Sequence, residues 1–260
     1  MYLLACSLTA LGGNLGGVTS WLLGLDGGKL AGQLRADVLV PVRGSKRCVE
    51  ATYGFEFTYP SSWLGDQTVA YRAAKRAEAE RGGPPGADYN NIDFPPLGGS
   101  PSGRGAGGAA AGRRQRAASV AEPVVAFGPP GTTGEENVSV IVAPIAPGFT
   151  LQSLGDPRAA GERLLASLAP EGSGLEAILL KAEARFGEAP SSSRGVISGA
   201  PQLYYTLEYT VRGPRFHRHN VSVYTSRSDL LYTFNAQCPE PRWSTDGAAL
   251  VASAESFRLS

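Results

Sequence analysis

The tightest constraint on the fold of this chain is the alternation between Gln202 and Val211. Leu203, Tyr205, Leu207, Tyr209 and Val211 interleave there with Gln202, Tyr204, Thr206, Glu208 and Thr210. A period of two sends the sets to opposite faces of an extended backbone, which predicts a strand with one face buried. Gly213-Pro214 turns the chain, and Phe216 to Thr225 and Leu230 to Ala236 read as two more strands joined by a short Ser-Arg-Ser-Asp turn. Three consecutive strands with short connections pair most simply as an antiparallel meander. Its apolar side needs a covering layer, which the rest of the chain must supply.

A second alternation, Tyr53, Phe55, Phe57 and Tyr59 against Gly54, Glu56 and Thr58, predicts a strand that Pro60 ends. Glu122 to Phe127 and the β-branched run Asn137 to Ala143 read as two strands joined by a Gly/Pro loop. Asp156-Pro157 supplies an N-cap and a first-turn proline, and Ala160, Leu164, Leu165 and Leu168 then share one helical face. Leu175 to Phe186, bounded by glycines, is expected to be a strand. Ser244 to Phe257 carries Leu250, Val251, Ala254 and Phe257 at helical spacing, with Ser244 or Asp246 placed as its cap. Helices segregated from runs of strands predict an α+β fold on an antiparallel sheet.

Between about residues 75 and 118 the pattern dissolves into Gly, Ala, Pro, Ser and Arg, a composition that cannot bury enough apolar surface to offset chain entropy. This stretch is expected to be a disordered insertion within one domain spanning 53–260. Its cluster Arg113, Arg114 and Arg116 is a candidate contact for an acidic partner, or a solvated basic loop. Residues 1–52 read as a targeting remnant or extension, because their apolar run is interrupted by glycines and is too broken for a membrane span. A formal net charge of +1 gives no global attraction to nucleic acid. Cys6, Cys48 and Cys238 form no CxxC or zinc spacing, and a Cys48–Cys238 bridge is an option in an oxidising compartment.

The sequence contains no GxSxG elbow, P-loop, GxGxxG or HExxH motif. The two histidines, His217 and His219, lie two apart on a strand and so share a face, where they could hold a metal with a third ligand such as Glu208 or serve as a partly buried structural pair. Glu56 and Asp66 are paired carboxylates, surface charges or turn caps. The sequons at Asn137 and Asn220 fall within strands, an unsuitable place for a glycan. Exposed members of the tyrosine-rich strands, with Tyr204, Glu208 and Arg218, are candidates for a partner-binding surface.

The pattern Gly54-Phe55-x-Phe57-x-Tyr59-Pro60-x-x-Trp63 resembles the opening of the PsbP domain, a family of photosystem-attached proteins of the thylakoid lumen. The later runs Tyr204 to Tyr209, Arg218-His219-Asn220-Val221, Leu231 to Gln237, Trp243 and Ser256-Phe257 follow in that family's order. The resemblance implies an α-β-α sandwich around an antiparallel sheet and a non-enzymatic protein of the chloroplast thylakoid lumen. It also implies peripheral association with the thylakoid membrane and, as partners, photosystem core subunits or lumenal loops. The runs from Glu122 and Asn137 look most like the members associated with photosystem I assembly. The alternative is an extrinsic photosystem II subunit of the oxygen-evolving complex, or a repair factor, with weak calcium, manganese or zinc binding.

Overall fold

The computed structural model describes residues 17–72, 122–131, 134–187 and 201–260. The expected insertion at about 75–118, with Arg113, Arg114 and Arg116, falls wholly outside these residues. The strands are β1 (Ser45–Glu50), β2 (Phe55–Pro60), β3 (Leu64–Gly65), β4 (Pro123–Gly128), β5 (Asn137–Pro144), β6 (Glu176–Gly187), β7 (Gln202–Gly213), β8 (Phe216–Arg227), β9 (Leu230–Pro239) and β10 (Arg258–Leu259). The helices include α1 (Val18–Gly24), α2 (Lys29–Gln33), α3 (Pro157–Leu168) and α4 (Trp243–Ser256). None of the described helices is long and apolar enough to cross a membrane.

Seven strands form one antiparallel sheet in the order β3-β4-β5-β9-β8-β7-β6. The meander β7-β8-β9 lies within it, as the alternation predicts. Ser228 and Asp229, both at positive φ, turn β8 into β9 with two residues, the conformation that suits the twist of a hairpin. This sets the register, opposing His219 to Cys238 and Tyr224 to Thr233.

One face of this sheet, the packed face, carries Tyr204, Val221, Val223, Phe234, Ala236 and Val138. These interlock with Leu250, Ala254 and Phe257 at the end of α4 and with Phe55 and Phe57. Phe55 and Phe57 belong to a second sheet, β1-β2-β10, which shares that layer with α4. Burying a side chain of phenylalanine size contributes about 1.5–3 kcal/mol, so this aromatic seam is the main apolar tie between the layers. The opposite face is covered over β6 and β7 by α3, through Ala160, Leu165, Leu207 and Tyr209. The result is the expected α-β-α sandwich.

Two boundaries differ from expectation. Ser45–Glu50 lies in the stretch read as an extension, yet it pairs residue for residue with β2, and Val40 and Val42 just before it are buried. β1 has no clean alternation and is half-buried throughout, so its signal was weak. α4 starts at Trp243 with Arg242 at the N-cap and no side-chain cap. Asp246 instead pairs with Arg242 at 2.7 Å, so neither proposed capping residue takes that role.

Candidate functional site

β8 projects His217 and His219 to the packed face, and the register opposes His219 to Thr210 of β7 with Glu208 on the diagonal. His219 is buried, its Nε2 lies 2.9 Å from Glu208 Oε1 and its Nδ1 lies 3.0 Å from Glu240 Oε2. The imidazole also stacks flat on Trp243, with centroids 3.5 Å apart and planes 6° apart. Carboxylates only accept, so the cluster is fully hydrogen-bonded when both ring nitrogens carry protons. A metal would have to displace a carboxylate to reach this ring. His217 joins none of these contacts, and among the described residues no group of three or more His, Cys, Asp and Glu side chains is placed to hold a metal ion. Glu208 is therefore next to His219, as guessed, but as a hydrogen-bond partner. Glu240 and Trp243 complete the cluster and were not anticipated as parts of it, although the two-residue turn at Ser228-Asp229 places Glu240 two residues past His219's cross-strand neighbour.

The partner-binding candidates do not share a surface. Tyr204, expected among the exposed tyrosines, is 1% exposed, because its packed-face position lies under β10 and its hydroxyl accepts from the Leu259 N–H at 2.9 Å. Glu208 is also on the packed face, and its side chain is held by His219. Arg218 is on the opposite face, half-exposed, with its guanidinium 4.8 Å from the Phe216 ring and 3.6 Å from Glu135.

Arg218 opens onto a groove of about 930 Å³ where α3 leaves β8, β9, β5 and β4 uncovered. Tyr209, Asn220, Tyr224 and Asn235 line its floor, and Phe216 and Leu168 stand at its wall. The floor is internally bonded: Tyr209 Oη lies 3.1 Å from Ser222 Oγ, which donates to Asn235 Oδ1 at 2.7 Å. Burial pushes the Tyr209 phenol above its ordinary range, which keeps it a neutral hydrogen-bonding group. Asn220 is buried within its strand, and the Asn137 amide donates to Gly134 O at 2.6 Å, so neither sequon presents a free side chain.

Asp66 caps a turn, accepting from the Thr68 hydroxyl at 2.6 Å and its N–H at 2.8 Å, and the Thr68 hydroxyl is the main reason its carboxyl sits below the usual range. Glu56, read as an ordinary surface charge, is instead 2% exposed and meets Arg47 at 2.9 Å, with Arg258 and Arg35 also against it. Cys48 and Cys238 are free thiols, Cys238 in the main core and Cys48 against its edge. Burial pushes them up to about 12 and about 11 respectively.

A two-layer-covered antiparallel sheet, closed by an N-terminal aromatic strand and a C-terminal helix, defines a sandwich of the PsbP type. The PsbP family profile matches residues 110–259, and the chain belongs to that family. It is 40% identical over 255 residues, 97% of this chain and 79% of the other, to PsbP domain-containing protein 7, chloroplastic, of Arabidopsis thaliana. It is 33% identical over 114 residues to CyanoP of Thermosynechococcus vestitus, a match to 42% of this chain and 56% of that one. The solution structure of cyanobacterial PsbP (CyanoP) from Synechocystis superposes with a TM-score of 0.51 at 23% identity, over 85% of this chain and 95% of that one, and supports the fold. The protein is thus a PsbP-family protein with a chloroplastic relative.

Proposed function

We propose that this protein is a non-catalytic component of the chloroplast thylakoid lumen that binds a photosystem, photosystem I in preference to photosystem II, and aids its assembly or stability. The observation that carries this reading is the 40% identity to a chloroplastic PsbP-domain protein across 97% of the chain. In this reading the contact surface is the open face beside α3, where Arg218, Phe216 and Tyr224 combine the aromatic and guanidinium groups enriched at protein interfaces. Arg113, Arg114 and Arg116 add a contact that weakens with salt. The protein has no resident cofactor in this proposal.

The test is affinity purification of the tagged protein from solubilised thylakoids of its own organism, followed by mass spectrometry. Co-elution of photosystem I core subunits is the expected result, reduced by Arg218→Glu. Enrichment of photosystem II core subunits instead would transfer the role to the oxygen-evolving complex or its repair. Recovery of neither photosystem would sink the proposal.

A further inference from the structure

The two edges of the seven-stranded sheet are unequal. β3 offers two residues, whereas β6 runs for twelve with Ile178, Leu180 and Phe186 at 49%, 51% and 70% exposure. A long exposed edge presents unpaired backbone donors and acceptors, which proteins ordinarily blunt with charges, bulges or a covering element. In β6 a register shift between Leu179 and Lys181 disrupts one half, and Lys181 to Gly187 stays regular against β7.

That regular half is self-complementary. Its packed-face residues are Lys181, Glu183 and Arg185, opposite Glu208, Thr206 and Tyr204, and its other face carries Ala182, Ala184 and Phe186. Laid antiparallel on a second copy about Ala184, Glu183 of each chain faces Arg185 of the other on the same side of the sheet, and Phe186 of each faces Ala182 of the other. Centring on Glu183 would oppose Glu183 to itself and Lys181 to Arg185. Centring on Ala182 would run the ladder into the bulge. Opposite charges across a ladder stabilise and like charges destabilise, so the Ala184 register is selected.

Arg185 gives an independent reason. Its guanidinium lies 4.2 Å from the Tyr204 ring centroid and donates to Phe257 O, yet its Nε is buried with no hydrogen-bond partner among the described residues. Glu183, whose side chain is 57% exposed and pairs with Lys181 of its own strand at 3.0 Å, would offer the guanidinium a carboxylate from the second copy. We propose that β6 is a homodimer interface in which Lys181 to Gly187 of two copies pair antiparallel about Ala184, joining two seven-stranded sheets into one. A closed two-fold contact of this kind uses the same patch twice and pairs the regular half of the β6 edge. The proposal is independent of the photosystem reading.

A seven-residue ladder is a small interface, so the dimer is expected to have a dissociation constant on the order of micromolar. Sedimentation velocity of the full chain from about 1 to about 100 µM should show a concentration-dependent dimer. Glu183→Lys and Arg185→Glu should each weaken it roughly tenfold by turning two attractive pairs repulsive. Mixed together, the two variants should recover dimer, because the heterodimer restores both acid–base pairs. Ala184→Cys, on the two-fold axis, should form a disulfide-linked dimer on mild oxidation, with the wild-type chain as control for its own thiols. If Arg185→Glu fails to fold by circular dichroism, Glu183→Lys and the cross-link decide. A wild-type chain monomeric throughout, or a dimer indifferent to Glu183→Lys and not cross-linked through Ala184→Cys, overturns the proposal.

Discussion

Glu56 illustrates how a single side chain changes meaning between sequence and fold. On alternation alone it belongs to the polar face of an aromatic strand, yet that face is roofed by Arg47 from β1 and Arg258 from β10. The arginines at 35 and 258 have exposed side chains and contribute little, so the weight falls on Arg47, whose side chain is 13% exposed. Glu56→Ala should therefore cost about 3 kcal/mol in urea unfolding, because it leaves Arg47 to share only Asp37 in a buried place. The cysteines obey the same logic of burial. A thiol raised to about 12 or about 11 has almost no thiolate at neutral pH, so alkylation of the folded protein at Cys48 and Cys238 should be slow at pH 8. Rapid modification of Cys238 by a thiol reagent at that pH, without denaturant, would contradict its place in the core.

Elements whose signal is local were legible. Asp156 accepts from the Ala159 N–H at 2.8 Å, as the Asp-Pro start of α3 predicts. Asp156→Ala should lower stability by about 1 kcal/mol with α3 still docked, measurable as a shifted denaturant midpoint at unchanged slope. Gly161, on the buried side of the same helix, was not flagged. A Cβ there would meet Leu179 Cδ2 at 3.0 Å and Leu207 Cδ2 at 3.2 Å. Gly161→Val should cost about 1–3 kcal/mol by overpacking α3 against β6 and β7, despite the helix-propensity penalty that glycine itself carries. What the sequence hid depends on contacts remote along the chain: β1 pairs with β2 without alternation of its own, and the Arg242 start of α4 is set by an ion pair rather than a capping side chain.

At the scale of the whole molecule, the residues that make the family recognisable are mostly core. Phe55, Phe57 and Trp63 are buried, Tyr59 stacks on Phe127 at 4.0 Å, and Gly54 sits at φ +67 with Arg227 Nη2 2.8 Å from where a Cβ would stand. Hence the signature reports the fold well and the proposed contact surface poorly: Tyr204 reads as available and is buried, while the groove beside Arg218 has no contiguous motif. The same long-range packing fixes where the folded unit must begin. α1 has no buried residue among those described, whereas Ala31, Val40 and Val42 are buried and β1 supplies both a six-residue ladder and Arg47. Truncation tolerance follows the burial of what is lost, so a chain that starts at residue 29 and keeps Ala31, Val40, Val42 and β1 is the reference. Removing residues 1–52 should cost at least about 3 kcal/mol, because it strips β2 of its six-residue ladder and leaves Glu56 without its best-buried partner. Parallel urea titrations of the two truncations decide between the boundaries: equal stabilities would restore residue 53 as the start of the domain, and a gap of the expected size would place β1 inside it.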